Sequence, residues 1–260
     1  MPAAPHAPPF APIAPESAGM PLYRVVKASL LRSIESGQHP PGSALPSETE
    51  LALAFGVSIG TLRKAVDELA AEHIVARRQG RGTFVATHTA DRFLLQFFPI
   101  ERIDGRREAP DIEWLSLARA RADSLIAKAL QLHEGDALLQ IESRLRLQGE
   151  VVACEQIALS AAVFKGLTEK RLREWHGTLY RLYQVEFGAT VVRTVDRARA
   201  VGCDRHAARL LGLATSTPVM QLRRVAIGLG EHPLEYRVST INTAQHELVN
   251  QLARARSTNE

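Results

Sequence analysis

Two runs of this chain combine cationic and small polar side chains at spacings that suit contact with a polyanion. The first is Ser58-Ile59-Gly60-Thr61-Leu62-Arg63-Lys64, and the second is Arg77-Arg78-Gln79-Gly80-Arg81-Gly82. An arginine fork can read the O6/N7 edge of guanine, and backbone amides at a helix start can hold phosphates. Arg81, set between Gly80 and Gly82, can come close to a sugar-phosphate backbone or a narrow minor groove. A solvated basic loop on an ordinary surface hairpin is the competing reading of the second run taken alone.

The elements that must position these side chains are marked by local signals. Ser47 and Glu50 have the capping-box spacing, so a helix starts just after Pro46. Gly56 can take the left-handed conformation that ends it at Phe55. Ser58 caps a second helix, in which Leu62, Ala65, Val66 and Leu69 recur at the three-four spacing of a buried face, with Gly60, Thr61, Arg63 and Lys64 opposite. Ile74 and Val75 begin a strand, Gln79 to Gly82 supply a turn, and Thr83 to Val85 return. Upstream, Leu22, Val26, Leu30 and Ile34 mark one side of a further helix, which Gly37 to Gly42 break. The pattern predicts a winged helix-turn-helix whose second helix enters the major groove of double-stranded DNA. Ser47, Ser58, Arg78 and Gly82 join the contact candidates as cap and wing residues.

The runs PPGSALPSETELALAFGVS, TLRKAVDEL and GRGTFV resemble the DNA-binding domain of the GntR family of bacterial transcription regulators over roughly residues 21 to 86. The resemblance implies operator contacts from three arginines: near the start of the first of the two helices, just after the second cap, and one turn later. The third falls on Arg63, whereas Thr49 and Ile59 stand where the other two are expected. Thr49 can still contact a phosphate. Ile59 cannot replace a bidentate arginine, so the operator sequence does not carry over.

The 260 residues, with a formal net charge of +4, fit about two domains that tolerate a polyanionic partner. Residues 20 to 87 carry an excess of only two cationic side chains, so their placement matters more than their number. Cys154 and Cys203 are the only cysteines, too few for a disulfide framework or a thiolate zinc site, and a reducing cytoplasm is the natural compartment. No metal-ligand spacing involves His133, His176 or His206, and GRGTF has too few glycines for a dinucleotide loop. No cofactor and no metal are therefore expected. Trp114 and Trp175 are read as core or interface residues. No apolar run is long enough to span a membrane, and residues 1–19, rich in Pro and Ala, lack the pattern of a secretory signal. The expected organisation is a disordered arm over 1–19, the winged domain over 20–87, a linker over 88–94, a second domain over 95–252 and a tail over 253–260.

The second domain contains a weak internal repeat: LQLHEGDALLQI from Leu130 and LGLATSTPVMQL from Leu211. Each copy follows a helical pattern and precedes two β-rich segments, which predicts a duplicated helix-plus-hairpin unit in one antiparallel sheet. Chance similarity of helix-to-strand junctions is the alternative. In SRLRL, Arg144 and Arg146 leave the strand on one face and the leucines on the other. Two adjacent guanidiniums call for an anion or an acid between them, which makes them anion-binding candidates, with a solvated outer face as the competing reading.

This half resembles the UTRA domain of the HutC branch of the GntR family, through SRLRLQGEVVACEQIAL, HGTLYRLYQVEFG and PVMQLRRVAIGLGEHPLEYRVST. The resemblance implies an α+β, chorismate-lyase-like fold and an effector cavity lined by Arg144, Arg146, Glu155, Thr178, Tyr180 and Glu235. Glu155 and Glu235 occupy similar places in the two repeats, which either a pocket or a shared structural salt bridge explains. NTAQHELV departs from the arginine-rich segment ending in Tyr that the family carries, so ligand identity does not transfer. The expected function is a homodimeric, ligand-responsive repressor released from a two-fold operator by a small anionic metabolite, a carboxylate, phosphate or phosphonate. The alternative is an enzyme with lyase-type activity on a carboxylated substrate.

Overall fold

The structure is a computed structural model describing Phe10 and residues 19–249. Apart from Phe10 and Gly19, the expected N-terminal arm lies outside the described residues, as does the C-terminal tail. The elements run α1 (Leu22–Glu35), α2 (Glu48–Phe55), α3 (Ile59–Ala71), β1 (Val75–Arg78), β2 (Gly82–Val85), α4 (Ala90–Gln96), β3 (Ile100–Arg102), β4 (Asp111–Arg121) and α5 (Ser124–Leu130). They continue with β5 (Ala137–Leu147), β6 (Glu150–Ser160), α6 (Glu169–Glu174), α7 (Leu179–Phe187), β7 (Val191–Gly202), α8 (Arg205–Leu211), β8 (Pro218–Gly228), β9 (Pro233–Ile241) and β10 (His246–Leu248). Two compact units are interleaved along the chain, where the sequence suggests consecutive domains. The first takes the described residues up to His88 with Leu179–Arg193 and Ala226–His232. The second takes Thr89–Thr178, Thr194–Val225 and the described residues from Pro233.

In the first unit, Val26, Leu30 and Ile34 of α1 pack with Leu51 and Phe55 of α2 and Leu62, Val66 and Leu69 of α3 in one buried cluster. Each large aliphatic removed from water here contributes about 1.5–3 kcal/mol. Lys27 of α1 ties down the far end of α3 through Glu68 at 2.9 Å and Glu72 at 2.5 Å. The capping box is formed: the Glu50 N–H donates to Ser47 Oγ at 3.2 Å, and the Ser47 N–H donates to the Glu50 carboxylate at 2.8 Å. Gly56 closes α2 in the left-handed conformation, φ 66°. The β1–β2 hairpin pairs Val75 with Val85 and Arg78 with Gly82, and Ala44 bridges to Phe84 on the other side of β2. Phe10 is buried against Phe55, with ring centroids 4.8 Å apart, and stacks on His39.

The larger sheet has the order β4-β5-β6-β9-β8-β7. That order reads the same from both ends once β4-α5-β5-β6 is matched with β7-α8-β8-β9, so the internal repeat is a duplication about the β6–β9 junction. Each repeat helix is capped by an aspartate, Asp123 accepting from the Ile126 N–H and Asp204 from the Ala207 N–H. Both end on a left-handed residue, Gln131 and Gly212. Together α5 and α8 cover one face of the sheet: Ala127 and Leu130 meet Leu138, Ala158 and Tyr236, while Ala207, Ala208 and Leu211 meet Cys154. Burial pushes the Cys154 thiol up to about 12, which leaves it inert as a nucleophile.

The expected linker is helical instead. Thr89 accepts from the Arg92 N–H to cap α4, and Phe93 is buried with its ring stacked at 5.9 Å on Phe98. A threonine cap and three phenylalanines at helical and near-helical spacing outweigh the polar composition of residues 87–92 that suggests a loop.

Ser47→Ala should cost about 1 kcal/mol of stability in urea unfolding at neutral pH. The Ser47 backbone N–H holds the Glu50 carboxyl below its ordinary range. The contribution of Glu50 is therefore complete above roughly pH 5, clear of the ordinary glutamate value, and is lost as pH falls through the lowered one. Wild type and Glu50→Gln should converge in stability on acidification, and a difference constant across pH would contradict the capping box.

Candidate DNA interface and effector site

The start of α3 and the wing form the candidate DNA face. Ser58 accepts from the Thr61 N–H at 3.1 Å, and Ile59 and Gly60 are exposed beside it. At the wing turn Gly80 and Gly82 have φ of 69° and 99°, a backbone region that favours glycine, and they carry the exposed Arg81 between them. The Arg78 guanidinium carbon lies 4.5 Å from the centre of the Phe84 ring, so the cationic head is held over the aromatic face on an exposed residue. An open cleft of about 460 Å³ runs between Pro46, Arg63, Arg77 and Gln79.

Not every expected contact faces this cleft. Lys64 turns toward α1, its Nζ 4.1 Å from the centre of the Tyr23 ring. Ser47 does line the cleft, but its hydroxyl is committed to Glu50. Sequence reasoning also missed a residue: Glu48. Arg63 donates to it through Nε at 3.0 Å, and Arg77 donates through Nη2 at 2.9 Å. An acid in the first turn of a helix is explained by the macrodipole alone, and that hides its second use.

In the second unit, strand register decides which side chains meet. Ser143 pairs with Glu155, and Glu155 with Ser239, while Ile157 pairs with Arg237 and Leu159 with Glu235. Directly paired residues share a face, and residues two apart on a strand share it too. Ser143, Glu155, Ser239, Arg237 and Glu235 therefore lie on one face, opposite α5 and α8, and all are buried. Arg237 donates to Glu235 through Nε at 2.8 Å and Nη2 at 3.0 Å, and to Glu155 through Nη1 at 3.0 Å. The Ser239 hydroxyl donates to the other Glu155 oxygen at 2.8 Å. The Ser143 hydroxyl, fully buried, has no hydrogen-bond partner among the described residues.

Arg144 and Arg146 are not part of this row. Arg144 pairs with Cys154 on the helix-covered face, one residue out of phase with Ser143. There Arg144 donates to both oxygens of Glu113 at 2.8 Å, and Arg146 lies 3.6 Å from the same carboxylate. The Arg144 hydrogen bonds hold the Glu113 carboxyl below the usual carboxylate range. The acid that the adjacent guanidiniums demand is thus supplied by β4. The sequence suggests one cavity holding the arginines with Glu155; the two-residue period of the strand separates them.

Thr178 accepts the Trp175 indole N–H on its carbonyl at 3.1 Å. Tyr180, in the first turn of α7, is fully buried with its ring edge-on to His88 at 5.8 Å. Of the C-terminal candidates, the Asn242 side chain accepts from the Ala244 N–H, and His246 is buried on β10, its imidazole kept below its ordinary pKa by that burial.

A winged helix-turn-helix joined to a duplicated sheet domain with a buried polar face defines a DNA-binding regulator of modular type. The signature described as "Bacterial regulatory proteins, gntR family" matches residues 22–85, and that of the UTRA domain matches residues 105–247. The chain belongs to the GntR family of bacterial regulators, in the branch that carries a UTRA domain. It is similar to the histidine utilization repressor of Klebsiella aerogenes, 36% identical over 151 residues, which are 57% of this chain and 62% of that one. It is 24% identical over 229 residues to the mannosyl-D-glycerate transport/metabolism system repressor MngR of Escherichia coli K12, covering 87% of this chain and 94% of that one. Among solved structures, the ligand-binding domain of a GntR-family regulator from Bordetella bronchiseptica superposes with a TM-score of 0.56 at 28% identity. The match covers 59% of this chain and 96% of that one.

Arg63→Ala should weaken binding to the preferred DNA sequence by about 1–3 kcal/mol and relax base preference at one position, whereas Arg81→Ala should weaken binding to all duplexes alike and lower the salt slope by about one. Fluorescence anisotropy over a range of salt concentrations checks both. Equal loss on every sequence for Arg63→Ala would move base readout to the wing.

Proposed function

We propose that this chain is a homodimeric repressor of the bacterial cytoplasm that holds a two-fold operator and releases it when a small metabolite binds the buried polar face of the UTRA sheet. The observation that carries the reading is the unpartnered Ser143 hydroxyl beside Glu155. A buried hydroxyl without a partner costs about 1–3 kcal/mol, a cost that a ligand would remove. Carboxylate oxygens of Glu155 and Glu235 line that row beside the Ser143 hydroxyl, which suits an effector presenting a donor nitrogen, such as an amine or imidazole. One observation favours the anionic effector as a second reading: Arg144 Nε is buried without a partner among the described residues, so a carboxylate, phosphate or phosphonate could displace Glu113 there.

Lyase-type turnover fits this geometry poorly. A general base needs a free carboxylate, and Glu155 and Glu235 are both engaged by Arg237. The repressor sense is supported by the names of the relatives, and dimerisation by the two half-sites through which small helix-turn-helix domains gain specificity.

Coupling has a local route within the first unit. The Gln184 side chain of α7 accepts the His88 backbone N–H at 3.1 Å and donates to the Ala86 carbonyl at 3.2 Å. It grips the chain just past β2, the second strand of the wing. The first turn of the same helix carries Tyr180, where the family resemblance places an effector contact. A ligand that shifts α7 would thereby shift the exit of the wing, which is all that linkage between two sites requires.

The test is thermal unfolding against amino acids, imidazoles, carboxylates, sugar phosphates and phosphonates. Each hit is then assayed for release of a duplex selected by the protein from a random library. A compound that raises the melting temperature and weakens DNA binding roughly 5- to 150-fold is expected. In Gln184→Leu the same compound should still bind, with its effect on DNA affinity reduced. Hits that never release DNA would contradict the repressor reading.

A further inference from the structure

Glu48 stands between the two cationic elements of the DNA face. One of its carboxylate oxygens accepts Arg63 Nε and Nη2, each at 3.0 Å, and the other accepts Arg77 Nη2 at 2.9 Å. Arg77 continues the chain of contacts through Nη1 to Asp67 of α3 at 2.8 Å. The network therefore runs from α3 to the first turn of α2, across to β1 of the wing, and back to α3.

Stability does not account for this network. The Arg63 side chain is 58% exposed and that of Asp67 56%, and exposed ion pairs contribute little. A carboxylate on a DNA-facing surface also repels phosphate, so its presence carries a cost that some other role must offset. The geometry of the guanidinium supplies that role. Arginine has two hydrogen-bonding forks, Nε/Nη2 and Nη1/Nη2. Glu48 occupies the first, and among the described residues nothing occupies Nη1. The remaining Nη1/Nη2 edge can still donate to the O6 and N7 atoms of guanine. Arg77, held by acids on two helices, acts as a brace between wing and helices rather than as a phosphate clamp.

We propose that Glu48 is a positioning residue for base readout: it locks the Arg63 guanidinium so that its outer fork meets one guanine in each half-site, and it keys the wing to the same register through Arg77. The inference rests on the DNA-binding reading above and goes beyond it by assigning sequence specificity to a residue that itself touches no base. A long side chain held in advance loses less conformational freedom on binding, so removing Glu48 should damage specificity more than affinity.

Selection from a duplex library with a randomised core, followed by sequencing, tests this with the full chain as wild type, Arg63→Ala, Glu48→Gln and Glu48→Asp. Wild type should enrich a guanine at one position per half-site, and Arg63→Ala should lose it. Glu48→Gln should reduce that preference about tenfold, while affinity for an unrelated duplex of the same length stays constant or rises. Glu48→Asp, too short to reach both arginines, should behave in the same way. Thermal melting of each variant separates loss of fold from loss of readout. An undiminished guanine preference in both Glu48 variants, or an equal rise in affinity for selected and unrelated duplexes, would overturn the proposal and leave DNA binding intact. No enrichment by wild type would overturn the DNA-reading assignment and the role of Glu48 with it.

Discussion

Arg237 is the interaction on which the sheet domain turns. It sits buried between Glu155 and Glu235, whose side chains are 7% and 0% exposed. Taking ions out of water costs several kcal/mol each, and such clusters are often no more stable than an apolar core of the same volume. Removing the guanidinium alone would strand two buried carboxylates. A sheet face needing only stability would be expected to carry leucine and valine, as the neighbouring rungs Ile141, Ile157 and Leu159 do. Retaining an ionic row beside an unpartnered hydroxyl is more economically explained by recognition than by folding.

The duplication places that row. Glu155 and Glu235 come from equivalent strands of the two repeats, and the palindromic strand order brings β6 and β9 side by side at its centre. Neither repeat alone contains both carboxylates and the bridging arginine, so the row exists only where the two meet. The first unit is organised by a comparable economy. The α7 amide that grips Ala86 and His88 belongs to a helix far along the chain, so the wing is anchored by residues remote from it in sequence. These hydrogen bonds to backbone fix the exit of the wing to α7.

Much of this was legible from the residues. Ser47-Glu50, Gly56 and Ser58 set the boundaries of α2 and α3 because capping chemistry is local. The repeat was legible because helix, cap and strand recur together, with Asp123 and Asp204 in equivalent places. The adjacent Arg144 and Arg146 call for an anion or an acid between them and so suggest an anion site; the acid present is Glu113, thirty-one residues away in sequence, and only strand pairing reveals it. Their separation from Glu155 follows from a register that pairs Ser143, not Arg144, with Glu155. A one-residue change of phase moves a side chain to the opposite face, and no local propensity records it. Glu48 escaped for a different reason: its place in the helix already had a sufficient local explanation. The helix over Ala90–Gln96 was obscured by polar neighbours whose weight as a loop signal yields to one threonine cap and the burial of Phe93.

We propose that the effector is sensed over the buried row and not at the half-buried arginine pair, Arg144 and Arg146. The most direct measurement is a crystal structure of the full chain with a compound that releases it from DNA. Density for the compound against Ser143, Glu155 and Arg237, with Glu113 still bridging Arg144 and Arg146, is the result predicted. Density between Arg144 and Arg146, with Glu113 displaced and Ser143 still unpartnered, would contradict the claim and return recognition to the anion-binding pair.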